Sequence, residues 1–230
     1  MSIKPKDLQS IKSEEEFNSF VRQKIEDKNF QEWVIGAKRG EKVCELMNRF
    51  YGDLSEKLIL DIGCGYGGIS LVLSKKASEV LGLDLNRGFL DVTNIRAKMS
   101  GGKNLLLVRG SAPNLPIRNS AVDIILVNGV LEWVPYSKPS EDPESTQMDA
   151  LKETLRILKD KGTLFLAIEN RYYLRYWLGA VDHHSQLRFV PILPRKIANF
   201  ISLWKKGEPY LSWTHSYSRL KNMSREAGLK

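Results

Sequence analysis

The chain is poor in cysteine and histidine: its 230 residues hold two cysteines, Cys44 and Cys64, and three histidines, His183, His184 and His215. Two cysteines cannot build a disulfide framework or a cysteine-based zinc site. A bridge at Cys64 would also fall inside a glycine-rich stretch. A reducing, cytoplasmic location is therefore the expectation. Long apolar runs are missing too, since none approaches the ~18 residues that a membrane-spanning helix requires. The opening MSIKPKDLQS has no apolar core of a signal peptide. Secreted, integral-membrane and collagen-like readings are not expected. Acidic residues are outnumbered, 27 against 35 Lys and Arg, leaving a net charge of +8. That balance admits nucleic acid, anionic lipid or acidic small molecules without choosing among them. No helix-turn-helix, zinc finger or aromatic sheet motif is present, so nucleic acid is not an expected partner.

What is present is an ordinary globular composition, 42% hydrophobic, with a clear alternation of periods. The first dozen residues read as frayed. Ser13 with Glu14, Glu15 and Glu16 reads as a capping box ahead of Phe17, Phe20, Val21 and Ile25 at helical spacing. A second helix is expected over 31–50, weakened by Gly36 and Gly40. From Leu58 the pattern changes to short apolar runs: LILDI (58–62), VLGLD (80–84), LLLVR (105–109), VDIILV (122–127) and TLFLAI (163–168). Runs of that kind, separated by helical stretches, are buried strands of a parallel sheet covered on both faces. Asn86 reads as the cap of one intervening helix. Residues 135–147, with three prolines, read as an exposed loop, and the next helix is expected to stop at Gly162.

The first strand runs into Asp61-Ile62-Gly63-Cys64-Gly65-Tyr66-Gly67-Gly68, which fits G-x-G-x-x-G through Gly63, Gly65 and Gly68. Glycine serves such a turn because the backbone must approach a ligand with no Cβ in the way. Asp84 ends the second strand, 23 residues after Asp61, where a carboxylate can accept both hydroxyls of a ribose. Loop and acid together specify an adenosine-containing ligand. A dinucleotide and S-adenosylmethionine both satisfy this. Asp61 favours the second, because a carboxylate there repels a pyrophosphate and attracts an α-amino group.

LDIGCGYG, VLGLD, GSAPNLP, VDIILVNGVLEWV and LKETLRILKDKGTLFLAIEN come in this order over about residues 30–170. The ordered set resembles the class I S-adenosylmethionine-dependent methyltransferases. The resemblance implies a Rossmann-like sheet of order 3-2-1-4-5, with Gly63, Gly65, Tyr66 and Gly67 along the methionine part of the cofactor. It implies Asp84 at the ribose, Leu85 against the adenine, Ser111 and Ala112 beside the adenine edge, and Asn128 and Gly129 towards the reaction centre. Many relatives have Asp where this chain has Ser111, so a weaker, uncharged hydrogen bond is expected there. The family closes its sheet with a hairpin of two further strands. Only 62 residues follow Ile168, so that hairpin is expected to be absent or incomplete, leaving the fifth strand as an edge. LRFVPIL (187–193) is the one apolar stretch available as a substitute, and Pro191 would confine it to an edge.

Residues 1–52 thus read as a helical segment, 53–170 as the cofactor-binding domain and 171–230 as a cap with a terminal helix. In 171–215, nine of 45 residues are aromatic, with seven basic and two acidic residues. Residues 169–194 resemble a segment of methyltransferases associated with bacterial and archaeal surface-polysaccharide synthesis. That ranks a small-molecule, glycan or lipid-linked acceptor first, methylated at oxygen. An oxygen nucleophile needs a base. His183 and His184, oriented by Asp182, are the candidates, against a solvated polar turn as the plain alternative. Glu169 is a candidate substrate contact, against a loop cap. Glu132 and Trp133 either shape the pocket floor or pack. No metal is expected, because adjacent histidines rarely both reach one ion. Pro194 to Lys206 has Ile197, Phe200, Ile201 and Trp204 on one helical face. Packing against its own domain is the expectation, and peripheral contact with an anionic membrane is the alternative. Tyr217 and Lys221 match the Y-x-x-x-K of nicotinamide oxidoreductases, which stays as a competing reading. A non-catalytic cofactor-binding module is the third.

Overall fold

Short apolar runs ending at glycine become the strands of one sheet in the computed structural model, which describes residues 3–102 and 104–229. Three helices come first: α1 (Glu14–Lys24), α2 (Lys28–Ile35) and α3 (Ala37–Tyr51). Then β1 (Leu58–Ile62), α4 (Ser70–Leu73), β2 (Glu79–Asp84), α5 (Arg87–Met99), β3 (Leu105–Arg109) and β4 (Val122–Asn128) follow. The chain continues through α6 (Pro143–Ile157), β5 (Leu158–Ala167), α7 (Leu174–Trp177), α8 (Arg195–Lys206) and α9 (Tyr217–Glu226). The sheet order is β3-β2-β1-β4-β5. β1 pairs parallel with β2, and β2 with β3, so Asp61 faces Gly82 and Asp84 faces Arg109. Among the described residues the sheet has no strand beyond β5 and the closing hairpin is absent.

The chain forms two compact units. The first comprises Met1–Ser111, Pro116–Leu126 and Leu158–Phe165, and the second comprises Ala112–Leu115, Val127–Ile157 and Leu166–Lys230. In the first unit, one core gathers Ile59, Val80, Leu105 and Ile124 from the strands with Met47 of α3 and Leu71 and Leu73 of α4. A second core joins Phe17 and Val21 of α1, Val34 and Ile35 of α2, Tyr66 and Val92.

Several local expectations are corrected. Ile3 and Leu8 are buried in that second core, and the Ile3 N–H donates to the Tyr66 hydroxyl, so this end is packed rather than frayed; Met1 and Ser2 lie outside the described residues. Ser13 does cap α1, but the Glu16 carboxylate takes the N–H of Lys12 instead of closing the box on Ser13. The helix expected over 31–50 is two helices. Gly36 has φ +67°, and a Cβ there would lie 2.6 Å from Cα of Gly68. Gly40 meets the Gly68 carbonyl in the same way, at 2.9 Å. The two glycines let the helix junction touch the glycine loop, a tertiary demand that helix propensity does not register.

Residues 143–147 belong to α6 rather than a loop, since Pro143 suits a first helical turn. Thr146 and Gln147 there are fully buried. Gln147 donates to the carbonyls of Leu131 and Trp213 at 2.7 Å and meets His215 Nε2 at 2.7 Å. Gly162 is no helix stop. It lies inside β5, where a Cβ would crowd Leu158 and the Asp123 carbonyl. LRFVPIL adds no strand to the sheet, because Val190–Ile192 is a 3-10 turn.

Arg96 of α5 ties the first unit together. It is fully buried, and its five N–H groups are all used. Nε and Nη2 donate to the two oxygens of Glu14 at 3.1 and 2.9 Å. Nη1 donates to the carbonyls of Val34 and Tyr66, and Nη2 also to that of Ile35. The guanidinium lies 4.3 Å from the Phe17 ring centroid. Arg96→Met should therefore strand Glu14 and three carbonyls and cost about 3–5 kcal/mol, read as a lower urea midpoint. Arg96→Lys should recover little of this, because an ammonium cannot reproduce the planar fork.

Candidate active site

In the first unit the loop after β1 is pinned to the end of β2. Gly63 and Cys64 both donate their N–H to the Leu83 carbonyl, at 2.7 and 3.0 Å. Gly63, Gly65 and Gly67 have φ of 71°, 54° and 78°, values that favour glycine strongly. A Cβ at Gly67 would meet Thr93 at 2.5 Å, and one at Gly65 would touch the Trp33 ring at 3.4 Å. The Thr93 hydroxyl donates to the Gly65 carbonyl at 2.8 Å, which fastens the loop to α5.

Two carboxylates answer this loop. Asp84 accepts the Gly65 N–H on Oδ2 at 2.9 Å and the Asn86 N–H on Oδ1 at 2.8 Å. Each oxygen keeps a second lone pair, as a ribose diol requires. Burial pushes the Asp84 carboxyl up, while these N–H groups oppose it. Asp61 is fully buried, and burial raises it to about 6, offset in part by the Ser70 hydroxyl at 2.5 Å and by Arg39. A buried carboxylate in that state favours an added cation, and an α-amino group is one. The donor set, the bare loop and these acids fit an adenosine-bearing sulfonium.

The other candidate residues are placed as follows. Leu85 is half exposed just past β2. Tyr66 gives the loop only its backbone, because its ring is buried 4.6 Å from that of Phe89. Ser111 closes the first run of the first unit, while Ala112, Asn128 and Gly129 belong to the second. Gly129, at φ +68°, donates its N–H to the Ala167 carbonyl at 2.8 Å.

The second unit brings Glu169, His183 and His184 together. His183 Nε2 lies 2.9 Å from Oε1 of Glu169, and His184 Nε2 lies 3.1 Å from Oε2. Tyr176 donates its hydroxyl to the same Oε2 at 3.0 Å. Burial would raise Glu169, but the two imidazoles outweigh it and hold the carboxyl far below its usual range. The Glu169 bond raises His183, against partial burial.

Asp182 does not orient either ring. It is buried and spends its oxygens on the N–H groups of His184 and Ser185 and on the Ser185 hydroxyl. The orienting acid is Glu169, at the carboxyl end of β5. One ligand atom from each of Glu169, His183 and His184 lies within 4.8 Å of the others, so the adjacent histidines converge on a single carboxylate.

Glu132 is fully buried, its Oε2 has no partner, and burial lifts it to about 7. Its neighbour Trp133 sets its ring edge-on to His184 at 4.6 Å. His215 stands apart against Gln147, and burial lowers it to about 4. The Y-x-x-x-K pair lies on α9, with Tyr217 exposed. Tyr176 carries no motif and is one of the nine aromatics of 171–215. Glu132 stands within VDIILVNGVLEWV, which does not reveal its burial.

Residues 60–166 match the family model described as Methyltransferase domain. The sheet order, the glycine loop with its acids and this match define the class of that region: residues 60–166 are a methyltransferase domain of the class I, S-adenosylmethionine-dependent type, with S-adenosylmethionine as cofactor. Among its relatives is the ubiquinone biosynthesis O-methyltransferase of Nitrosomonas europaea, 27% identical over 186 residues, covering 80% of this chain and 68% of the relative. The protein of that name from Aliivibrio fischeri is 28% identical over 158 residues, 68% of this chain and 61% of its own length. The chain thus spans 61–68% of these curated relatives. The crystal structure of a SAM dependent methyltransferase from Aquifex aeolicus superimposes with a TM-score of 0.56 at 18% identity, over 93% of this chain and 88% of that one. At that identity the likeness is one of fold.

Two predictions follow from the loop. Asp84→Ala should weaken S-adenosylhomocysteine binding by about 1.5–3 kcal/mol, the cost of losing a charge-assisted partner, measured by calorimetry. Asp61 carries its charge only above about 6, so the affinity should fall as pH drops through that value. In Asp61→Asn the same titration should be weak and nearly flat with pH.

Proposed function

We propose that the chain transfers the methyl group of S-adenosylmethionine to a hydroxyl oxygen of a small-molecule or lipid-linked acceptor, glycan included. The observation that carries this reading is the bond of Glu169 to both imidazoles. A hydroxyl is a poor nucleophile until it loses a proton, and an imidazole held by a carboxylate is suited to take one. With Nε2–H of His183 donated to Glu169, Nδ1 is left with the lone pair. His183 is the exposed member of the pair, its side chain 59% accessible against 3% for His184. Nδ1 of His183 then receives the acceptor's proton, and Glu169 stabilises the imidazolium that results. The bound cofactor supplies an activated methyl on sulfur. The chain's own contribution is alignment and proton removal. The name of the two curated relatives supports oxygen as the methylated atom. A phenol carrying an apolar tail is accordingly the first acceptor to try.

The test is release of S-adenosylhomocysteine from the whole chain supplied with S-adenosylmethionine and a panel of acceptors: catechols, phenols with isoprenoid tails, and lipid-linked sugars. Turnover should rise with pH as His183 loses its proton. Glu169→Gln removes the charge that raises His183, so the inflection should move to lower pH while turnover falls by about 10²–10⁴-fold. Cofactor binding should be unchanged in that variant. Turnover by Glu169→Gln equal to the parent would overturn the assignment. Cofactor binding without turnover on any acceptor would favour a non-catalytic module.

A further inference from the structure

In α8 the structure inverts the usual amphipathic arrangement. The side turned into the second unit carries the small residues Ala198 and Ser202, both buried. The opposite side carries Ile197, Phe200, Leu203 and Trp204, with Phe200 68% and Trp204 74% exposed. At 100° per residue these four share one arc, centred across the helix from Ala198 and Ser202. Packing on its own domain, the expectation for this helix, holds for Ile201, half-buried against Val190, Ala198 and Tyr210, and fails for Ile197, Phe200 and Trp204. A single exposed Leu needs no explanation, but a whole apolar face does. Exposed Lys196 lies within the arc. α7 repeats the pattern in the same unit: Tyr176 is buried, while Leu174, Trp177 and Leu178 project outward beside exposed Arg175. Both helices pack against the 3-10 turn Val190–Ile192.

We propose that the outward face of α8, with α7, is a docking surface for an anionic lipid bilayer. Aromatic and aliphatic side chains on outward faces with exposed Lys196 and Arg175 among them match the two demands of a bilayer surface, an apolar interior boundary and negative headgroups. Tryptophan and tyrosine, abundant here, settle at that boundary. The charge argues against a second copy of the chain as occupant. Residues 171–215 carry seven basic residues against two acidic ones, of which Asp182 is buried, and a two-fold contact would set this positive surface against itself. Among the described residues no helix is long and apolar enough to cross a membrane, so the contact is peripheral.

Sedimentation of the full chain with vesicles tests this apart from any methylation. The protein should pellet with vesicles of phosphatidylcholine plus phosphatidylglycerol, much less with phosphatidylcholine alone, and less as salt rises. Phe200→Ser/Trp204→Ser should weaken binding about tenfold or more, and Lys196→Glu/Arg175→Glu should abolish the preference for anionic lipid. These four side chains are exposed, so the thermal melt should stay that of the parent. Phe50→Ser, an exposed phenylalanine of the first unit, should change nothing. The proposal is overturned if the parent stays in the supernatant with both vesicles, or if the Phe200→Ser/Trp204→Ser variant pellets like the parent. It is equally overturned if centrifugation shows a vesicle-independent dimer that this variant dissolves.

Discussion

One buried arginine sets the frame on which the cofactor loop rests. A guanidinium cannot shed its charge, so Arg96 is tolerable in the core only with every N–H answered. The answers come from three places in sequence: the Glu14 carboxylate, the carbonyls of Val34 and Ile35 at the end of α2, and the carbonyl of Tyr66 in the loop. One side chain of α5 therefore fixes where the N-terminal helices end and where the loop turns. Gly36 against Gly68 closes the same junction from the other side by van der Waals contact. Loop geometry is thus imposed from behind by polar and steric partners, which leaves its front free for a ligand.

The second unit is organised around the opposite charge. Glu169 collects two imidazoles and a phenol, and its ionised form is strongly preferred. Glu132, close enough to feel both histidines, is pushed the other way by burial. Two carboxyl groups of ordinary chemistry are thereby driven apart in pKa by what surrounds them, the condition under which one holds a charge and the other exchanges a proton near neutrality.

The strands were legible because a buried parallel strand announces itself: a short run of Leu, Ile and Val bounded by glycine or a polar turn. LILDI and LLLVR match β1 and β3 residue for residue. The loop was legible because its glycines have a local backbone reason. What escaped had tertiary reasons. Gly36 and Gly40 looked like defects in a helix, and their use appears only once Gly68 is seen against them. Gln147 looked like loop polarity, and its three partners lie far along the chain. Asp182 was the natural partner for His183 by proximity in sequence. Its oxygens are consumed locally by the turn it caps, so the carboxylate that reaches the imidazoles is Glu169, fourteen residues before His183.

The α8 helix shows a different limit. Periodicity yields an axis, the direction in which apolar residues cluster, but not its sign with respect to the protein. The sign follows from size. Ala198 and Ser202 let the helix backbone come close to its unit, with Ile201 and Asn199 at the edges of that contact. Once the small residues take the inside, the large apolar ones are obliged to face out, since Phe200 and Trp204 cannot share an arc with them at 3.6 residues per turn. A stripe of small residues opposite a stripe of aromatics is therefore the readable mark of an outward-facing apolar surface. In a helix packed by its large residues, the small ones would lie on the solvent side, where nothing depends on close approach.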